Sequence, residues 1–345
     1  MKGVKFDNFH SFYEWGLILS EKEIKSPKPK TMEFEIEGSD GVLDYTEFFG
    51  GVKFENRKLS FKFTKANIVP DGFLALFSVV QNALHGRKMK IILDDDPDHY
   101  YIGRVMVNEW KANKRIGEII IDVDAEPYKY KVARTGQLVS LAGSNLINLN
   151  AATVSTNGTW TKTETGFSYQ QVKANTGSYA FFKVLLAGGK TYTLSTIQPT
   201  AGTATNLIVY SDVMYGKAIA RGTNTLTFTP AETGYYILAL IVNSSTTAAE
   251  FSNVMLNEGS AVLPYEPYNN AVESTVTAFV ENLKMPAVPD IISQDDVTIT
   301  NGEETFLIRA GETLHKEEFQ LKEGSNQFNI TGTGIVVFEW QEGGL

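Results

Sequence analysis

The charge of this chain nearly disappears between Asn145 and Asn270, while the segments on both sides are densely charged. Residues 1–130 hold 19 basic and 21 acidic side chains, whereas residues 144–270 hold 6 of each kind. The last 75 residues carry 4 basic and 13 acidic groups, so their net charge of −9 equals that of the whole chain. Such a change in mid-chain is typical of a separately folded unit placed in a host. The sequence therefore predicts an insert whose function differs from that of its host.

Composition excludes several classes of protein. The 345 residues suffice for two or three domains, and 43% hydrophobic with 21% charged residues is typical of a soluble globular protein. The absence of cysteine excludes disulfides, thiolate metal sites and cysteine nucleophiles. No apolar run is long enough to span a membrane, and Asp7 and Glu14 interrupt any signal peptide. A pI near 5.1 argues against nucleic acid as a direct partner, since phosphate contacts need clustered basic residues.

The first 130 residues are predicted to form an antiparallel sheet with one helix. Residues 57–64 and 32–37 alternate apolar and polar side chains, which is typical of half-buried strands. The residues predicted to share one face of each strand are Leu59, Phe61 and Phe63, and Met32, Phe34 and Ile36. The helix is predicted from Pro70 to His85, since proline suits a first turn and the glycine that follows ends a helix. Further strands are predicted at residues 88–93, 101–107 and 119–123, with turns at residues 94–98 and 113–115.

Beyond residue 143, short β-type segments alternate with turn signals at the spacing of an all-β sandwich. No helix is predicted beyond residue 130. In the uncharged segment, strands are predicted at residues 179–186, 190–196, 206–210, 223–228 and 235–242. In the last part of the chain, they are predicted at residues 297–300, 305–309, 317–321, 327–331 and 334–340, with a turn at Asn301–Gly302.

Patterns of catalytic or metal-binding residues are not found. The histidines at positions 10, 85, 99 and 315 have no partner at the spacing of a metal site or a catalytic triad. The run from Asp94 to Asp98 offers oxygen ligands for a cation, but its spacing fits a solvated hairpin tip better. The sequence therefore predicts no catalytic residue, metal or cofactor, and the chain is not expected to be an enzyme.

Aromatic residues of the uncharged segment are candidates for carbohydrate binding. A sugar ring has an apolar C–H face and a polar rim, which suits an aromatic side chain among neutral hydrogen-bonding groups. Tyr192, Tyr235 and Tyr236 lie in apolar runs and are assigned to the core. The candidates for carbohydrate binding lie nearer turns and are Trp160, Tyr169, Tyr210 and Tyr215.

Several stretches of the chain together carry a family resemblance. They are VKFDNFHSFYEWGLIL (4–19), KLSFKFTK (58–65), LFSVVQNALHGRKMKIILDDDPDHYYIGRV (76–105), IIIDVDAEPYKY (119–130), VMLNEGSAVLPYEPY (254–268) and LKEGSNQFNITGTGIVVFEW (321–340). The first four cover residues 1–130 in order and resemble the N-terminal domain of the distal tail protein (Dit) of siphophages, which are bacteriophages with long non-contractile tails. The last is similar to the closing strands of that family's galectin-like C-terminal domain. The fifth resembles jelly-roll carbohydrate-binding modules of phage baseplates and tail fibres.

The resemblance implies a mainly β protein in three parts. Residues 1–130 would form an N-terminal ring domain, a β-sandwich with one helix. Residues 131–143 and 271–345 would form a discontinuous galectin-like β-sandwich. Residues 144–270 would form an inserted jelly-roll carbohydrate-binding-like module, in agreement with the distribution of charge.

The function implied by the resemblance is that of a structural hub at the tail tip or baseplate. A homo-hexamer would close into a ring at the distal end of the virion's tail, through which DNA passes without being bound. The implied partners are the tail tube protein, a tail-associated lysin or tail-spike-type protein, and receptor-binding proteins. Residues 144–270 would bind host cell-wall polysaccharide, and six copies would strengthen weak binding through multivalency. Two alternatives stay open: a carbohydrate-active enzyme with a binding module, and a hub whose insert is only a spacer or docking domain.

Overall fold

The computed structural model describes residues 3–48, 50–67, 69–112, 115–198, 205–269, 273–302 and 304–345. The fold is mainly β and is built from antiparallel sheets, which confirms the predicted fold class. The described chain divides into two compact units, Met1–Ala133 with Glu342–Leu345 and Arg134–Gln341. The second unit therefore holds both the predicted module and most of the predicted galectin-like domain. Within the described ranges, the helices are all too short or too polar to cross a membrane.

The strands of the first unit are β1 (Val4–Phe6), β2 (Phe9–His10), β3 (Ile18–Ile24), β4 (Glu33–Glu35), β5 (Val42–Asp44), β6 (Arg57–Ala66), β7 (Lys88–Leu93), β8 (Asp96–Ala112), β9 (Ile116–Ala125) and β10 (Lys129–Lys131). Most of them form a large antiparallel sheet with the order β2-β1-β7-β8-β9-β6-β3, and β10 pairs with β8. In β6 the predicted alternation is confirmed, because Leu59, Phe61 and Phe63 are buried. The sheet folds over itself: the ring of Phe6 lies 6.2 Å from that of Phe61 although β7, β8 and β9 lie between their strands.

The predicted helix is confirmed as α2 (Pro70–Leu84), which packs on β8 and β9. At Gly117 a Cβ atom would lie 2.4 Å from the ring of Phe73, so glycine permits this approach. A shorter helix, α1 (Ser11–Trp15), is not predicted from the sequence. Its N-terminus is capped by His10, whose Nδ1 accepts hydrogen bonds from two backbone N–H groups at 3.1 and 3.3 Å. Histidine is not among the usual capping residues, which explains why the start of this helix was missed.

The acidic run forms a shorter turn than predicted, because β8 already begins at Asp96. Each of its first two carboxylates has its own side-chain partner: Asp94 lies 3.0 Å from Nε2 of His10, and Asp95 lies 2.6 Å from Nζ of Lys22. In the described part of the chain, no three potential metal ligands come together. The turn predicted at residues 113–115 lies partly outside the described residues.

The second unit contains two β-sandwiches within its described residues. Its strands are β11 (Thr135–Ser140), β12 (Thr153–Val154), β13 (Gly158–Lys162), β14 (Phe167–Gln171), β15 (Ser178–Leu186), β16 (Tyr192–Ile197), β17 (Thr205–Tyr210), β18 (Ala218–Gly222), β19 (Thr225–Phe228), β20 (Gly234–Val242), β21 (Ala248–Glu258), β22 (Ser274–Asn282), β23 (Asp290–Ser293), β24 (Val297–Thr300), β25 (Thr305–Ile308), β26 (Thr313–His315), β27 (Gly324–Gly332) and β28 (Ile335–Trp340). Sheets β12-β15-β20-β17-β18 and β13-β14-β21-β16-β19 form the first sandwich, and sheets β11-β28-β23-β26 and β22-β27-β24-β25 form the second.

The pairing of β11 with β28 brings together strands on either side of the module in sequence. The two sandwiches share a core, because Ile335 and Val337 of β28 belong to the same buried cluster as Leu185 of β15. The backbone N–H of Leu185 also donates to Oε1 of Gln294 at 3.1 Å. After β28 the chain returns to the first unit, where β29 (Gly343–Gly344) pairs with β10.

One strand predicted in the last part of the chain is wrong. Residues 317–321 form a 3-10 turn at Glu317–Phe319, and the strand β26 precedes it. Phe319 and Leu321 are both buried, so the alternation that predicted a strand reflects core contacts of an irregular segment. The long strand β21 was missed because Ser252 and Asn253 interrupt its apolar pattern, and Asn253 has a positive φ of 53°.

Asp295, in the turn between β23 and β24, is a half-buried carboxylate whose pKa is raised by burial and by the charge of Asp296. At pH values between the ordinary and the raised pKa of Asp295, the folded state therefore binds more protons than the unfolded state. Stability falls as the pH rises through this window and stays lower above it. We expect Asp295→Asn to raise the urea midpoint of unfolding at pH 7, by an amount that shrinks as the pH falls towards 4. The exposed Glu312→Gln is the matched control, and an unchanged midpoint for Asp295→Asn at pH 7 would contradict the prediction.

Candidate functional site

Two of the predicted sugar-binding residues lie at the edge of the module's core. Trp160 and Tyr169 are paired across β13 and β14, and their ring centroids are 5.1 Å apart. Tyr169 is only 2% exposed, so its ring is not accessible to a sugar in this structure. Trp160 is half-buried: it stacks on Phe251 at 5.8 Å, and its Nε1–H donates to Oγ of Ser178 at 2.8 Å. The pair thus contributes to packing rather than to an open aromatic platform.

The other two predicted residues lie on the outer face of the sheet β12-β15-β20-β17-β18. Tyr210 is 4% exposed and packs in a small cluster with Ile208 and Ile237 on that face, so its ring is not accessible either. Tyr215 lies on the loop between β17 and β18 and is 69% exposed. Its ring centroid is 6.2 Å from that of Tyr210, so the structure brings these two residues together.

Further aromatic residues of this face were not predicted as candidates. Alternation in β15 buries Ser178, Ala180 and Phe182 and directs Tyr179 and Phe181 to the outer face. The ring of Tyr179 lies 5.7 Å from that of Tyr215, nearly perpendicular to it, and 6.0 Å from that of Phe181. Once it is known which face of β15 is buried, the alternation of its side chains predicts that Tyr179 and Phe181 lie on the outer face. Tyr179, Phe181, Tyr210 and Tyr215 are called the Tyr215 cluster below.

The Tyr215 cluster suits contact with an apolar surface that has a polar rim. Burial, with smaller contributions from Tyr179 and Tyr210, raises the pKa of Tyr215, so its hydroxyl stays protonated at neutral pH and can donate a hydrogen bond. Its exposed ring offers a face for the C–H groups of a sugar. The cluster therefore combines stacking with hydrogen bonding, without a group arranged for catalysis.

The first unit exposes an apolar surface on the hairpin of β4 and β5. Residues 32–37 were predicted as a strand with a buried apolar face, and this is corrected: β4 spans only Glu33–Glu35 and pairs with β5 alone. Among the described strands, β4 and β5 pair only with each other, so the hairpin is not part of the large sheet. This hairpin surface consists of Met32, Phe34, Ile36, Val42 and Leu43, all exposed.

Another apolar surface of the same unit lies on α2. Phe73, Val80 and Leu84 face the sheet and are buried, whereas Leu74 and Val79 lie on the outer side and are 48% and 55% exposed. The sequence of α2 from residue 72 to residue 84 contains no charged side chain. Outer sides of surface helices are usually polar or charged. Leu74 and Val79, with Val69 just before the helix, are called the helix surface below.

The comparisons with known proteins give weak likenesses. No protein-family model and no curated protein sequence matches the chain. Among solved structures it is similar to the Dit protein of phage SPP1, described as a paradigm of the hub adsorption apparatus in phages that infect Gram-positive bacteria. That similarity has a TM-score of 0.40 and 10% identity, over 100% of both chains.

Oxalate decarboxylases give still lower scores. The enzyme of Lactobacillus farciminis has a TM-score of 0.13 and 7% identity, over 58% of this chain and 88% of its own. A deletion mutant of the Bacillus subtilis enzyme has a TM-score of 0.12 and 9% identity, over 57% and 77%. At such TM-scores, the solved structures carry no argument about the function of this chain.

Proposed function

We propose that the chain is a hub protein of a bacteriophage tail tip or baseplate, in which six N-terminal units close into a ring. The observation that carries the proposal is the pair of exposed apolar surfaces on one unit, the hairpin surface and the helix surface. Exposed apolar patches on a soluble protein mark sites of association. The resemblance of residues 1–130 to the distal tail protein supports the assignment to a phage tail.

The difference between the two surfaces favours a head-to-tail arrangement. A two-fold dimer uses the same surface on both subunits, whereas a ring uses one surface of each subunit against a different surface of the next. A strand hairpin and a helix differ in shape, and both offer aliphatic side chains. Docking the hairpin surface of one copy on the helix surface of the next would remove both from water. Every copy would then make the same contact, and the ring would close without leaving a free patch.

The second unit would project from such a ring and carry host recognition. The proposed partners are the tail tube protein, a lysin or tail-spike-type protein, and receptor-binding proteins. DNA would pass through the ring without being bound, in agreement with the net charge of −9. The proposed place of action is the distal end of the tail in the virion.

The test is the solution mass of the full-length chain, with negative-stain images of the same sample. A ring of six chains of 38.2 kDa has a mass of about 229 kDa. Rings of this mass are the expected result when the purified chain is concentrated. A monomer at all concentrations, in the presence of the tail tube protein as well as without it, would contradict the proposal.

A second candidate function, binding of host cell-surface glycans by the module, is favoured by the Tyr215 cluster. The module that carries this cluster is itself nearly uncharged, as expected for a site that recognises neutral hydroxyl-rich ligands. The proposed role is adhesive, so release of reducing ends from cell-wall polysaccharide would contradict it. A module that binds no host envelope would instead be a spacer or docking domain.

We expect Tyr215→Ala to weaken binding of the full-length chain to host cell walls by about tenfold, since an exposed stacking ring contributes roughly 1–2 kcal/mol. Sedimentation with purified cell walls measures the change. Tyr13→Ala, which removes an exposed ring of the first unit, is the matched control and should leave binding unchanged. Equal binding by the Tyr215 and Tyr13 variants would remove the Tyr215 cluster from the site.

A further inference from the structure

An irregular segment crosses the surface of the module after β21. This strap, residues 259–269, contains Pro264 and Pro267 and lies outside the described strands. It is held by side-chain amides: Nδ2 of the buried Asn145 donates to the carbonyl of Glu266 at 3.0 Å, and Nδ2 of Asn257 donates to the carbonyl of Ala261 at 3.0 Å. Prolines and buried anchors fix its backbone before any ligand arrives, which lowers the entropic cost of binding.

Two depressions are lined by residues of the strap, and Tyr265 lines both. The first has a volume of about 370 Å³ and the second about 350 Å³. The two depressions, with Tyr265 as the residue they share, are called the groove below. Sites for small molecules have volumes of roughly 300–1,000 Å³, so each half of the groove can hold one or two sugar rings.

The first half of the groove is polar. It is lined by Asn150, Lys162 and Glu164, and by the rings of Tyr265 and Tyr268. Nζ of Lys162 donates to Oδ1 of Asn150, which fixes both groups at the wall. The carboxylate of Glu164 is exposed and contributes to the raised pKa of Tyr265, whose main cause is burial. These groups offer donors and acceptors at short range to a ligand rich in hydroxyl groups.

Tyr268 adds an unsatisfied polar group. Its hydroxyl is buried and has no hydrogen-bond partner among the described residues. Burial, and secondarily the charge of Asp295, raises the pKa of Tyr268 to about 12, so the hydroxyl keeps its proton at neutral pH. A buried polar group without a partner costs free energy, and a ligand or water that reaches it would recover that cost.

The second half of the groove is more apolar. Ile197, Met255, Val262 and Leu263 line it together with Tyr265, and Thr225 supplies a hydroxyl. Apolar side chains can receive the C–H face of a sugar ring or the methyl of an acetamido group. The groove therefore changes from polar to apolar along its length, with an aromatic ring at the junction.

We infer that this groove binds an uncharged oligosaccharide, with Tyr265 stacking on a central sugar ring. Asn150, Lys162 and Glu164 would bind the hydroxyl groups of one end, and the apolar half would hold the other end. The inference rests on the proposal that the module binds glycans and gives it a second site, separate in composition from the Tyr215 cluster. Lys162 and Glu164 offset each other in charge, which favours a neutral ligand over an anionic one.

The test uses the full-length chain on an array of uncharged and anionic oligosaccharides, followed by calorimetric titration of the uncharged oligosaccharide that binds best. Tyr265→Ala should weaken that binding at least tenfold, and Tyr265→Phe should retain most of it because the stacking ring remains. Glu164→Ala, at an exposed position that does not affect folding, should weaken binding severalfold. Tyr13→Ala is the control for loss of an unrelated exposed ring.

The remaining outcomes separate this inference from the function on which it rests. Binding that Tyr215→Ala removes while Tyr265→Ala and Glu164→Ala preserve it would overturn the groove and leave the glycan function standing. A preference for anionic oligosaccharides would overturn the stated ligand class. No binding to any oligosaccharide would remove both the glycan function and the groove. If Tyr265→Ala lowers stability as measured by urea unfolding, the result of Glu164→Ala decides.

Discussion

Asn145→Ala is expected to lower the free energy of unfolding of the second unit by about 3–5 kcal/mol, because one buried amide satisfies several buried backbone groups. Oδ1 of Asn145 accepts from the N–H of Ile147 at 3.0 Å and from that of Leu256 at 3.2 Å, while Nδ2 donates to the carbonyl of Glu266. The side chain is fully buried, so water cannot easily replace it. The substitution leaves two N–H groups and a carbonyl without this partner. It also disconnects the start of the module from β21 and from the strap.

Hydrogen exchange in urea, read by mass spectrometry, measures this loss separately for each part of the chain. Peptides from residues 134–341 should lose protection in Asn145→Ala, while peptides from residues 3–133 serve as an internal reference. Asn150→Ala is the matched control, since Asn150 is exposed, and should change stability by less than about 0.5 kcal/mol. Equal protection in the two variants would show that the Asn145 amide does not hold the module together.

Strand alternation and turn chemistry predicted much of the fold because both depend on neighbours in sequence. The pattern at Leu59, Phe61 and Phe63 places each of these side chains in the core. The end of α2 follows from the glycine after it, within one residue. The hairpin of β4 and β5 shows the limit of this reasoning. Its alternation resembles that of β6, but it lies apart from the large sheet, and only long-range contacts decide whether an apolar face is covered.

The candidate site was harder to predict, because a tyrosine in a strand suits either face of a sandwich. Tyr169 and Tyr210 lie near turns, which suggested exposure, yet both are buried. Tyr179 was assigned neither to the core nor to the candidate site, yet it faces outward beside Tyr215. The groove around Tyr265 depends on how the strap crosses distant strands. The sequence predicted that aromatic side chains form the site, but tertiary packing determines which of their rings are accessible.

The shared core of the two sandwiches could not be predicted from local sequence patterns either. Charge indicated an insert at residues 144–270, and β11 pairs with β28 across it. A loosely tethered insert would have a core of its own, but Ile335 and Val337 pack in the same cluster as Leu185. The module therefore packs on the rest of its unit through a continuous buried core. In the proposed hub, such a connection would limit the freedom of the proposed glycan site and favour simultaneous binding by several copies.

A paired substitution on α2, Leu74→Glu with Val79→Glu, is expected to abolish self-association of the chain. Both side chains lie on the outer side of the helix, so carboxylates at these positions remain in water in the monomer and leave the core intact. In the proposed ring, the same carboxylates would be buried against the apolar hairpin surface of the next copy. Burying an unpaired charge costs several kcal/mol, and the ring repeats that cost at each of its contacts. The solution mass should fall from that of the ring to the 38.2 kDa of one chain.

The control separates the loss of an interface from a general effect of charge. Thr223→Glu with Ser245→Glu adds the same two charges at exposed positions of the second unit and should leave the mass of the ring unchanged. Phe34→Ser with Leu43→Ser, on the hairpin surface, should give monomers as the α2 variant does, because each contact of a ring needs both surfaces. Mixing the α2 variant with the hairpin variant adds a sharper test. Each retains one intact surface, so the mixture should form dimers of about two chains' mass and no rings, as a head-to-tail contact requires. A symmetric contact, in which one of the two surfaces meets the same surface of another copy, would instead leave the variant that retains this surface able to dimerise alone.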